Sequence, residues 1–274
     1  MTTSTRPDPQ TQALCSARRR LATVLIDGLD PAGLQAAKQL IQWGIGTLML
    51  CDDRPVTASD TDFPRTARGM HRSHAASRLL DPGDGSTVVI EVPAGATASG
   101  VDVHLVLRSR PRPQQLHSQL RAACRASAAV LPVVGDAQAW RLGPLLSHQG
   151  GLCPDCLLHH GLLPAPPETS GAAAAAPAPE AERPADAEPL PEPERPAETA
   201  QGSDPSHRQQ PDPLLQAASH LAVHQIQVLV EGQRPAAVQT AQLITDRATG
   251  HQSSLSISPH PECACLTAVE PLAG

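Results

Sequence analysis

Aromatic residues are nearly absent: the 274-residue chain has one Phe, two Trp and no Tyr. Base-stacking platforms for RNA or single-stranded DNA are built from aromatic side chains, so this scarcity argues against nucleic-acid binding. A basic surplus to grip phosphates is missing too, with 21 Lys and Arg against 27 Asp and Glu, a net charge of −6. No apolar run approaches the ~18 residues of a membrane span, and polar Met1–Arg20 has no signal-peptide pattern. Without an export signal the seven cysteines are expected in a reducing compartment, the cytosol. There, paired cysteine spacings point to metal more than to disulfides.

One stretch has no Val, Ile, Phe, Met or Trp. Residues 164–213 hold 13 of the 29 prolines, ten acidic side chains and three arginines, with Leu190 as the one large apolar residue. Too little apolar surface is available there to offset the entropy of ordering, so a disordered linker is expected. Its net charge is −7, which leaves the rest of the chain at +1. The acidity is therefore a property of the linker and not of a binding face. A proline-rich segment can dock in an aromatic groove, but spacer is the default reading.

The remaining 163 residues before the linker and 61 after it suffice for one domain with an aliphatic core. Leu21–Ile26 is a short continuous apolar run, as in a strand buried on both faces. Asp30 is a good N-cap and Pro31 a good first helical residue, and Leu34, Ala37, Leu40 and Ile41 then follow at helical spacing up to about Trp43-Gly44. A second strand is expected at Thr47–Cys51, ending on Asp52-Asp53. Thr87–Val92, Val101–Leu107 and Ala129–Val134 read as strands, the last pushed toward an edge or a strand end by Pro132. Gln114–Ala126 reads as a helix; past the linker come a helix over Pro213–Val230 and strands over Val238–Thr245 and Gln252–Ser258. Strands alternating with helices predict an α/β fold with a mostly parallel sheet.

The strongest chemical signal is Cys153-Pro-Asp-Cys156 before the linker and Cys263-Ala-Cys265 after it. Two close thiolate pairs can supply a closed tetrahedral sulfur site for structural zinc, tying the C-terminal segment to the domain across the insert. Unrelated cysteines or a CxxC redox pair are the other readings, and His159, His160 or His260 can stand in for a cysteine. Cys15, Cys51 and Cys124 have no partner spacing and read as plain thiols.

The first strand–helix turn reads Gly28-Leu29-Asp30-Pro31-Ala32-Gly33. A nucleotide-binding turn carries three glycines so that backbone N–H groups can cradle phosphate. Here the middle position is Asp30, whose charge would repel a phosphate by roughly 1–4 kcal/mol at about 4 Å. Helix capping accounts for Asp30 fully. Asp52, 24 residues after Gly28, is placed either to bond a ribose hydroxyl or simply as a solvated strand-end acid.

Three stretches, Val24–Val56, Gly143–Leu157 and His260–Cys265 (HPECAC), carry a family resemblance. The chain resembles the ThiF/MoeB/HesA family of adenylating enzymes, relatives of the ubiquitin-activating enzymes. Within it, the similarity is to the divergent branch found with thiazole/oxazole-modified peptide (YcaO-type cyclodehydratase) gene clusters. The resemblance implies a Rossmann-like α/β domain over 21–163, completed by 214–274; polar residues 1–20 are expected to form a disordered N-terminus. It also implies that Cys153, Cys156, Cys263 and Cys265 hold zinc.

For ATP and magnesium, the resemblance makes Gly28, Gly33, Asp52 and Arg72 the nucleotide-binding positions. Several of the family's ATP-gripping residues are replaced, however. Asp60 stands where Asn is expected, Phe63 where an Arg should be, and Arg72 where a Lys should be. Arg108-Ser109-Arg110 follows the fourth strand with no carboxylate for magnesium. The expected protein is thus a non-catalytic, zinc-stabilised partner that binds a precursor peptide or a peptide-modifying enzyme. The alternative is an active ATP-dependent adenylyltransferase acting on a sulfur-carrier or peptide C-terminus. The branch's winged-helix-like leader-binding module has no room in about 20 residues before the first strand, and a homodimer is usual for the wider family.

Overall fold

The computed structural model describes residues 8–81, 83, 85–96, 98–109, 111–148, 151–163, 213–232, 235–263 and 265. All of them belong to one compact unit. The expected linker therefore lies outside the described residues except for Pro213.

Eight strands form one sheet in the order β3-β2-β1-β4-β5-β6-β7-β8. The first five are parallel: β3 (Val88–Glu91), β2 (Thr47–Cys51), β1 (Thr23–Asp27), β4 (Val101–Arg108) and β5 (Ser127–Gly135). The last three, β6 (Ala139–Leu142), β7 (Ala241–Asp246) and β8 (Gln252–Ser256), add antiparallel. The α/β sheet expected from the apolar runs is present, and its parallel half holds the βαβ unit read from Leu21 to Cys51.

Helix α2 (Pro31–Trp43) starts on Asp30, whose Oδ1 accepts from the Ala32 and Gly33 amides at 3.2 Å. It ends at Gly44, which takes the left-handed conformation that glycine adopts without penalty. Helices α2, α3 (Arg72–Leu80) and α6 (Pro213–Glu231) cover one sheet face, over Val24, Ile26, Leu48, Leu50 and Leu105. Helix α4 (Pro113–Ala126) and α5 (Pro154–His159) cover the other over Val106 and Val130. The core is aliphatic, as the composition requires. Helix α6, although it follows the linker, packs on α2, with Ser219 Oγ donating to Ala32 O at 2.9 Å.

Three expectations need correction. Residues 1–20 are not disordered throughout, because Pro9–Leu21 forms helix α1. Asp8 caps it, Cys15 is buried, and Arg19 pairs with Glu231 of α6 at 3.5 Å while lying over the Trp43 ring. Its stability comes from that docking, which a polar sequence does not advertise. Pro132 is not at an edge or a strand end but within β5, between β4 and β6. Pairing with β6 runs from Val133 to Gly135, so the residue lacking an N–H sits just past the antiparallel ladder. The strand expected from Val238 begins only at Ala241, since 237–239 form a short 3-10 turn.

Candidate functional site

Cys153 caps α5 and Cys156 lies in its first turn, while Cys263 and Cys265 follow β8. The four sulfurs converge. Cys153 Sγ lies 3.7 Å from Cys156 Sγ and 3.3 Å from Cys263 Sγ, and Cys156 Sγ lies 3.4 Å from Cys265 Sγ. All four ligand atoms lie within 4.8 Å of one another. Four metal–sulfur bonds of ~2.3 Å at tetrahedral angles set sulfurs about 3.8 Å apart, so a thiolate-bound ion fits with shifts of about 1 Å or less. Burial and the neighbouring thiols push Cys153 up to about 11 and raise Cys265 further, so a cation is needed to hold these groups as thiolates. The cluster is braced by α4: His117 Nε2 bonds Asp155 Oδ1 at 2.8 Å, inside the CPDC motif.

The neighbouring histidines do not replace a cysteine. His160 Nε2 is hydrogen-bonded to Ser258 O at 2.8 Å, and His159 stacks on His260 beside Glu262. Cys15 and Cys124 are buried and Cys51 half-buried. Burial raises Cys51 and Cys124 to about 12, which makes them inert thiols.

At the opposite end of the chain's chemistry, the carboxyl ends of β1, β2 and β4 form a cleft of about 700 Å³ lined by Asp27, Gly28, Asp52, Arg54, His104 and Arg108. Such a crevice is where open α/β sheets bind ligands. Its charges are turned inward. Asp52 is 6% exposed; its Oδ2 accepts from Leu29 N at 2.8 Å and Arg54 Nη2 at 2.7 Å, and its Oδ1 from Arg54 N and Nε at 3.1 and 2.9 Å. Burial works to raise its pKa, but these donors prevail and hold the carboxyl below its ordinary value. Arg108 reaches back to Asp27, with Nη2 2.7 Å from Oδ2 and Nη1 2.8 Å from the backbone oxygen. Ser109 Oγ bonds the free oxygen of Asp30.

The two expected glycines have packing reasons of their own. At Gly28 (φ +110°) a Cβ would stand 2.4 Å from Leu107 O and 2.9 Å from Arg108 Nη1; at Gly33 it would stand 2.0 Å from Gly28 O. Arg72 Nη2 binds Asp60 Oδ1 at 2.6 Å, so the two replaced positions neutralise each other, and Phe63 is a core residue. No sequence motif marks Arg54 or Arg108 as a site residue. Arg54 is visible as a cation two residues past Asp52, but Arg108 meets Asp27 only because β4 neighbours β1.

No protein-family model and no curated protein sequence matches the chain. Solved structures do. E. coli MccB with ATP aligns at TM-score 0.64 and 14% identity, over 92% of this chain and 69% of MccB. The microcin C7 biosynthetic enzyme MccB in complex with N-formylated MccA gives 0.64 and 15%, over 92% and 70%. Selenomethionine PaaA gives 0.56 and 15%, over 90% and 67%. Among the described residues no helix is long and apolar enough to cross a membrane. At these identities the likeness establishes the fold, and this chain carries the α/β fold of MccB and PaaA.

Proposed function

We propose that the chain is a zinc-stabilised protein of ThiF-like fold that acts as a non-catalytic partner in a peptide-modifying, cyclodehydratase-type system. Its partner is a precursor peptide or the modifying enzyme. The likeness to MccB, solved with MccA, supports the peptide side of this reading. Cys153, Cys156, Cys263 and Cys265 would hold the zinc. Four sulfur ligands leave no open coordination position, so the ion supplies a cross-link between segments and no Lewis-acid chemistry.

The observation that carries the non-catalytic reading is Asp52. The acid expected to meet a ribose already accepts four hydrogen bonds from Leu29 and Arg54. A nucleotide would have to displace Arg54 and settle beside the Asp30 carboxylate. The second reading, an ATP-dependent adenylyltransferase, draws on the strand-end cleft, on Gly28, Gly33, Asp52 and Arg72, and on the MccB structure with ATP. Calorimetric titration of MgATP into metal-loaded protein, folded by circular dichroism, separates the two. No heat is expected; saturable binding at micromolar affinity would overturn the partner reading and restore Asp52 to the nucleotide.

A further inference from the structure

A second, smaller cavity lies between α4, β5 and the cysteine-bearing α5. It measures about 330 Å³, within the ~300–1,000 Å³ of ligand cavities. Leu116 and Leu120 of α4, Val134 of β5 and Leu157 of α5 give it aliphatic walls. The charged groups lining it, Asp136 and Arg141, are bonded to each other, and Asp136 also accepts from the Gln138 and Ala139 amides at 2.7 and 2.8 Å. Nothing there calls for a charged ligand.

One polar atom does call for a partner. Gln242 of β7 lines the cavity and is 5% exposed. Its Nε2 donates to Gly143 O at 3.0 Å, which fixes which end of the amide is which. Its Oε1 has no hydrogen-bond partner among the described residues. A buried acceptor left bare is unfavourable, and a ligand N–H placed against it removes that penalty.

We propose that this cavity receives a branched aliphatic side chain of a bound peptide, with a neighbouring backbone N–H donating to Gln242 Oε1. A neutral amide next to a leucine-sized group meets both the apolar walls and the bare acceptor. This rests on the peptide-handling reading above and adds where the peptide is gripped. The cysteine cluster forms part of the frame, because α5 carries both Leu157 and Cys156.

The probe is N-acetyl-leucine N-methylamide, titrated into the metal-loaded full chain and followed by NMR, with N-acetyl-aspartate N-methylamide as the control. Saturable binding of the leucine probe in the millimolar range is expected, as suits a fragment of its size, with none for the aspartate probe. Val134→Phe, which fills the cavity from a half-buried position, should weaken binding more than about tenfold. Gln242→Met, which removes the acceptor at similar volume, should weaken it about fivefold, the value of one hydrogen bond. Circular dichroism confirms the fold of each variant, and either variant suffices if the other fails to fold. Absence of saturable binding, or equal binding by wild type and a folded variant, would overturn the proposal. The MgATP titration reads the strand-end cleft instead, so failure of the partner reading and failure of this cavity are told apart.

Discussion

The cysteine cluster and the strand-end cleft are both built from polar groups, yet they close in opposite ways. At the cluster, two pairs more than a hundred residues apart in the chain bring four thiols together, and burial raises Cys153 and Cys265. To be held as thiolates, those two groups need a cation beside them. At the cleft, acids and bases from β1, β2 and β4 satisfy one another inside the protein: Asp52 with Arg54, Asp27 with Arg108. They have little left to offer a ligand. The lesson is that the same residue types serve a bound group or replace it, according to whether their partners are already supplied.

The largest effect should come from the cluster. Removing metal with a chelator, or substituting Cys263→Ser, is expected to lower stability by about 3–4 kcal/mol, as linkage gives for an ion at 100–1,000 times its dissociation constant. Denaturant unfolding with matched metal analysis checks it; metal content of one zinc per chain is expected. Unchanged stability would make the cluster ornamental and erase the contrast.

Next is His104, which lines the cleft 4.0 Å from Asp27. Burial, with Arg108 adding to it, pushes His104 down to about 4 despite the Asp27 charge. The unfolded imidazole protonates near its ordinary 6.5 and the folded one only near 4. This contribution is therefore fully present above pH 6.5 and is lost as pH falls toward 4, by about 3 kcal/mol at most. Stability measured across that window should fall in the wild type and flatten in His104→Asn.

The smallest effect is at Arg54. Its side chain is 54% exposed while that of Asp52 is 3% exposed, so solvent screens the cation and the cost of losing it falls mainly on the buried acid. Arg54→Ala should cost about 1–2 kcal/mol at neutral pH. Because the folded Asp52 pKa lies below its ordinary value, its contribution is present above ~pH 4 and is lost as pH falls below that. The gap between wild type and variant should narrow in acid. If Arg54→Ala also gained MgATP binding, the self-pairing would be a removable block and not a permanent replacement.

Legibility in the sequence followed the range of the interactions. Local signals were reliable: Asp30-Pro31 opens α2 and Gly44 closes it, and the apolar run Thr47–Cys51 is β2 to the residue. The cysteine spacings foretold a four-sulfur cluster because CxxC places two sulfurs on one helical turn wherever the fold puts it. Helix α1 is illegible locally because its stability resides in contacts with Glu231 and Trp43, far along the chain. The cavity at Gln242 is illegible for the same reason, since its walls come from five separate elements.

By itself the sequence determined the composition of the core, the βαβ unit from β1 to β2, the α2 cap and the four sulfur donors. Each follows from residue type, spacing and hydrophobic period, which act within a few residues. The tertiary structure alone decided that Asp52 is spent on Arg54 and Leu29, that Arg108 crosses to Asp27, that Asp60 and Arg72 cancel, and that Gln242 keeps a bare acceptor. Hydrogen-bond satisfaction depends on distances of about 3 Å between groups that strand order and side-chain direction bring together, and neither is written in a local pattern.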